Sequence, residues 1–252
     1  MLVQLVEKTC AAIDGLNMED ALPGLQLQLR QSAPDAIANL RTEGVKHGGN
    51  PSENDAVMGA ALLALVYVKG LPALARLMVQ KMKDRRIDAA RRCAVAGVLA
   101  YFVQPHDLIP DNAPGGYGWL DDAILLRAGL IEYLNLLPPG QTKVEFEQKV
   151  VGILVGLTPT HVRPSLQQAI GAMSLAVQVM GLMEGEIAEF VLAQVIANPL
   201  NTDPPVVPPG FRPHSVPSYD RGHWSAGMYF EGNSVVIPGG PSLIDGQLFI
   251  PT

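Results

Sequence analysis

Between Tyr101 and Asp122 the chain reads YFVQPHDLIPDNAPGGYGWLDD, gathering Asp107, Asp111, Asp121 and Asp122 around one turn of a protein that is only 17% charged. Four converging carboxylates would make a hard-oxygen site for Mg²⁺ or Ca²⁺, and from there a metal-dependent hydrolase. The spacing is not that of an EF-hand loop, and no second acidic cluster offers the partner site of two-metal chemistry. A structural reading accounts for the same residues with fewer demands. Pro105 pushes the residue before it out of helical geometry and so ends a helix. Asp107 is placed to accept backbone N–H groups of the Leu108–Asp111 turn. Asp121 and Asp122 open the next apolar segment, where carboxylates satisfy free N–H groups and suit the helix dipole. The expectation is a rigid corner between two helices, with Leu108 and Ile109 turned into the core and the metal site as the weaker alternative.

Other chemistry is thinner. His106 and Asp107, with His47 before them and Asp121 or Asp122 after, invite comparison with all-α metal-dependent phosphohydrolases. Prolines flank the pair, however, where a ligand-bearing helix would be needed, and His106 reads as an exposed turn residue. The stretch KMKDRRIDAARR holds Lys81, Lys83, Arg85, Arg86, Arg91 and Arg92, six of the 18 basic residues, and could meet the phosphates of a membrane surface. Asp84 and Asp88 lie within it at spacings that favour local ion pairs, so a solvated helix junction is the plainer reading. No nucleophile elbow or Walker loop is present, and PGGYG lacks the strand-to-helix setting of a dinucleotide site. Cys10 and Cys93 have no metal-binding spacing and read as small buried residues. No cofactor is expected. A net charge of −6 disfavours nucleic acid as a partner.

The elements that must position these residues are helical up to about residue 198. The segment LVQLVEKTCAAI comes first, reading as a helix rather than a signal peptide. MEDALPGLQLQLRQ follows, with Pro23 and Gly24 as a break. In the next helix Ser32 serves as N-cap, Pro34 lies in the first turn and Gly44 is the terminator. An apolar run after Ser52 is separated by Gly70 and Pro72 from LPALARLMVQKMK. The helix 86–103 carries Ala90, Ala94, Gly97 and Tyr101 on one face, small enough for a neighbouring helix to approach. Leu120, Ile124, Ile131 and Leu134 mark the face of the helix after the corner. LLPPGQ ends it, Thr142 and Glu145 form a capping box, and Pro164 opens a last segment to about Ala197, with a break near MEGE. Residues 56–68 and 169–183 are too short or too interrupted to cross a membrane. The expected fold class is all-α: a compact multi-helix bundle over residues 1–198.

Residues 199–252 differ in kind. They hold ten of the 21 prolines, six of the 14 aromatic residues and no lysine. The stretch TDPPVVPPGFRPHSVP favours extended polyproline-like backbone. FEGNSVVIPGG and IDGQLFIPT share a pattern of turn plus short β-segment. A tail this rich in rings is expected to dock, with Phe211, Tyr219, Arg221, Trp224, Tyr229, Phe230 and Phe249 as partner-binding anchors.

The corner also carries a resemblance. Residues Tyr101, Pro105, Asp107, Leu108, Ile109, Pro110, Asp111, Gly118, Asp121 and Asp122 fit the pattern of the YkvA-like family, a domain of unknown function, and the resemblance spans roughly residues 67–136. The loop NAPGGYGW departs from that family's more uniformly apolar stretch. The resemblance implies a helical hairpin and brings no established reaction. Together these readings favour a non-enzymatic structural or interaction protein, cytoplasmic or membrane-peripheral, whose arm binds a protein partner or a second copy.

Overall fold

The computed structural model describes residues 1–104, 108–135, 144–181 and 185–200, with four short strands between 229 and 249. The helices are α1 (Leu2–Asp14), α2 (Met18–Ser32), α3 (Pro34–Lys46), α4 (Glu53–Lys69), α5 (Leu71–Lys83), α6 (Ala89–Phe102), α7 (Leu120–Asn135), α8 (Val144–Leu157), α9 (Arg163–Gly181) and α10 (Gly185–Ala197). A 3-10 turn, Pro114–Trp119, leads into α7. The body is all-helical, and its buried apolar side chains form one continuous core. At its centre lies α6, packed against α5, α7, α9 and α10.

Local sequence explains most boundaries. Ser52 caps α4 through a capping box, its hydroxyl accepting from Asp55 N while Asp55 Oδ2 accepts from Ser52 N at 2.8 Å. Asp88 caps α6 by accepting from Arg91 N at 2.9 Å, so that helix begins three residues later than the expected Arg86. Gly48, at φ +81, ends the segment after α3 in the left-handed conformation. Gly44, the expected terminator, is buried inside α3, and Ser32 is the last residue of α2 rather than a cap.

Three further expectations are corrected. Pro23 does not break α2, because Ala21, Leu25 and Leu29 bury one face of that helix and tertiary packing outweighs one lost N–H. Gly97 is not where helices approach closely: a β-carbon there would meet nothing within 4 Å, whereas one on Gly129 of α7 would lie 2.3 Å from Val98 Cγ2. Finally, α4 and α5 taken together, Glu53–Lys83, are long and apolar enough to cross a membrane by length and composition, although 61% of the apolar window is buried within the fold.

Lys69, the charge inside that run, has a defined role. Its ammonium donates to Ile13 O at 3.1 Å, Asp14 O at 2.9 Å and Leu16 O at 3.1 Å, closing the C-terminal end of α1 where carbonyls lack helical partners. Lys69→Met keeps the stem and removes the charge. It is expected to cost about 2 kcal/mol in urea unfolding, with α1 the first element to exchange its amides.

In the C-terminal segment, β1 (Tyr229–Glu231), β2 (Ser234–Val236), β3 (Ser242–Ile244) and β4 (Gln247–Phe249) pair antiparallel in chain order. β1 lies beside α3. The side chains of Tyr229, Phe230 and Phe249, and the whole of Phe211, Tyr219, Arg221 and Trp224, lie outside the described residues, as do Pro105, His106, Asp107, Thr142, Met183 and Glu184.

Candidate functional site

The acidic corner is built from the end of α6, the turn 108–113, the 3-10 turn and the start of α7. Its reversal depends on glycines. Gly115 and Gly116 adopt φ of +71 and +75. A β-carbon on Gly115 would lie 2.3 Å from Leu25 N and 2.4 Å from Ala21 O, so the turn is pressed against the backbone of α2. Gly24 permits that approach from the other side, with Pro114 Cβ at 3.2 Å from where its own β-carbon would stand. Gly118 in turn lies against Pro110 O. Tyr117 is buried and donates its hydroxyl to Leu157 O at 2.9 Å, tying the turn to the end of α8; burial pushes its phenol up to about 12.

Asp121 is fully buried. Its Oδ2 accepts from Leu108 N at 3.1 Å, Ile109 N at 3.2 Å and Tyr101 OH at 3.3 Å, while Oδ1, also buried, has no hydrogen-bond partner. Burial raises its carboxyl to about 7, with the backbone donors opposing that shift. Asp121 therefore holds the 108–109 turn. Ile109 is buried and Leu108 packs half-buried against the core, the orientation expected of a hinge. Asp122 is buried beside Asp121, and Asp111 is half-buried with its carboxyl raised by loss of solvent.

Among the described residues no three His, Cys, Asp or Glu side chains come together as a metal-binding group, Asp111, Asp121 and Asp122 included. His47 is exposed at the C-terminal end of α3. Chemically, what the described corner offers is one buried carboxyl that can exchange a proton near neutral pH and a set of donors fixed upon it.

The cationic stretch divides into three kinds of residue. Arg92 belongs to the core: it is buried, its Nη2 donates to Glu189 of α10, and its Nε donates to Ile87 O at 3.1 Å. Its expected role as a phosphate contact gives way to holding α10 against α6. Arg86 pairs with Asp84 at 2.8 Å and Arg91 with Asp88 at 3.1 Å; the Arg86 guanidinium draws the Asp84 carboxyl down to about 2. Lys81, Lys83 and Arg85 have no ion-pair partner among the described residues.

Two polar clusters were not foreseen. Arg127 of α7 donates to Glu147 Oε2 of α8 at 2.6 Å and stacks 4.6 Å above the Tyr67 ring of α4. Arg163 forks onto both carboxylate oxygens of Asp35, at 2.6 and 3.0 Å, and reaches Gly156 O and Thr158 O as well. The available signal for the first was an arginine alone in the apolar stretch ILLRAGLI. Both cysteines are buried, and burial raises each thiol to about 11, which keeps them unreactive.

No curated protein and no solved structure matches the chain. Residues 91–127 match the model of a family described as a protein of unknown function, DUF1232, so the matched stretch comprises most of α6, the corner and the first half of α7.

Proposed function

We propose that this chain is a non-enzymatic structural protein whose helical body carries residues 199–252 as an arm that docks on a neighbouring copy or protein partner. The observation that carries this reading is the arm's fixed point of departure. Pro199 is buried at the end of α10, and its carbonyl accepts from Gln104 Nε2 at 3.2 Å, beside the corner. From there residues 201–228 can span up to roughly 90 Å when extended, enough to reach an adjacent molecule. Ordering such a segment costs on the order of 1–2 kcal/mol per residue, which its aromatic anchors would offset only against a surface. That β1 lies beside α3 of its own chain supports α3 as the receiving surface, and the same surface on a second copy would accept the arm by exchange.

The test is mass by light scattering. The full chain is expected as an oligomer, and both truncation after Leu200 and a triple change of Phe211, Trp224 and Phe230 to serine are expected to yield monomer with an unchanged helical spectrum. An oligomer that survives both changes would count against the proposal.

A further inference from the structure

We infer that the α5–α6 junction and the outer face of α10 together form a docking site for an anionic lipid bilayer surface. The first observation is on α10. Its inner side, Ala188 and Leu192, is buried against α6, while Ile187 and Phe190, one turn apart on the other side, are 50% and 66% exposed. A phenylalanine held this far into water on a helix of a well-packed body leaves apolar area that an apolar phase would cover.

The second observation is what stands next to that face. Glu189 receives Arg92, and Ala188 O accepts from Cys93 Sγ at 2.9 Å, so the first turns of α10 rest on the first turns of α6. The cationic junction immediately precedes α6. The junction thus lies beside the first turn of α10, with Ile187 and Phe190 on that helix's outer side, one helix width or more from it, on the order of 10 Å or above. Within the junction Lys83 and Arg85 are exposed and form no ion pair among the described residues, while Lys81 is half-buried and acts on Asp84 only at longer range. Among the described residues, the carboxylates near this surface are mostly engaged: Asp84 with Arg86, Asp88 with Arg91 and Glu189 with Arg92, leaving Glu186 exposed on α10.

A local cationic surface on a chain of net charge −6, flanked by an exposed aromatic and an exposed aliphatic side chain, complements an acidic headgroup layer with acyl chains beneath it. Soluble phosphate would account for the cations and leave Phe190 unexplained. A bilayer accounts for both.

The test is flotation of the full chain with vesicles of phosphatidylcholine alone, and with about 30% phosphatidylserine, at about 0.1 M and 0.5 M salt. The chain is expected to float with the acidic vesicles at low salt, and not with neutral vesicles or at high salt. K83E/R85E should weaken that binding by about 25-fold or more, at roughly fivefold or more per reversed charge. F190S should weaken it at least fivefold while leaving the melting temperature unchanged. Equal flotation with both vesicle types, no flotation with either, or acidic-vesicle binding indifferent to both variants would overturn the inference. Self-association abolished by F190S in a chain that does not float would overturn it too, and assign the face to a second copy.

Discussion

Gly115→Ala is expected to destabilise the protein by about 3 kcal/mol or more, a large share of the total stability of a domain this size. Two independent costs add. A left-handed backbone costs a residue with a side chain roughly 1 kcal/mol or more. The new methyl would then sit at 2.3 Å from Leu25 N and 2.4 Å from Ala21 O, both backbone atoms that cannot rotate away. Relief requires the 3-10 turn to move off α2, which costs about 1–3 kcal/mol in a well-packed core. Gly97→Ala is the matched control: the position is helical and exposed, with open space around the added carbon, and a gain of up to about 1 kcal/mol is expected. Urea unfolding of the two variants beside the parent checks both signs at once. A harmless alanine at Gly115 would mean that the turn does not rest on α2.

The second large effect is a dependence on pH. The carboxyl of Asp121 titrates near 7 in the folded protein, above its ordinary value of about 3.8. The folded state thus holds this proton more tightly than the unfolded chain. The resulting stability is fully present below about pH 4 and is lost as pH rises through 7, amounting to as much as roughly 4 kcal/mol. Asp111 and Glu132 shift in the same direction through burial. Asp35, lowered chiefly by its hydrogen bond to Arg163, acts oppositely: its contribution is present above about pH 4 and lost as pH falls below. Between about pH 4 and 7 the raised carboxyls therefore make stability fall as pH rises. Asp121→Asn keeps an oxygen for the Leu108 and Ile109 amides and removes the proton equilibrium, so the fall between about pH 4 and 7 should flatten. An unchanged slope in that variant would place the titrating group elsewhere.

The sequence and the structure agree most where a signal is local. Gly70 and Pro72 divide α4 from α5, Pro164 lies at the start of α9, and Leu120, Ile124 and Ile131 are all buried, although α7 is buried on nearly every side rather than on the one face their spacing marks. Wherever a distant element decided the outcome, the sequence was silent. Pro23 reads as a break because the packing of α2 against a turn some ninety residues away cannot be seen locally. Ser32 and Gly44 carry the right chemistry for helix ends, but the chain reaches a stronger terminator at Gly48. Arg92 looks like one more surface cation until α10 arrives to bury it. The corner itself lay between these cases. Asp121 and Asp122 were legible as structural carboxylates from their place before an apolar helix. That Asp121 reaches back to hold the turn at 108–109 was not, since Asp107 offers the same oxygen closer in sequence. Arg127 and Glu147 stand 20 residues apart on different helices, and only the fold makes them a pair.

The arm remains the part of the chain on which the functional reading turns, and its destination can be measured directly. A photoreactive amino acid at Phe230, in chains labelled with nitrogen-15, would be activated in an equal mixture with unlabelled chains, and the cross-linked peptides weighed. Mixed heavy and light pairs joining the arm to the body of another molecule, persisting on dilution, are expected. Pairs of a single isotope at every concentration would mean that each arm stays on its own body, and that the assembly proposed for it does not form.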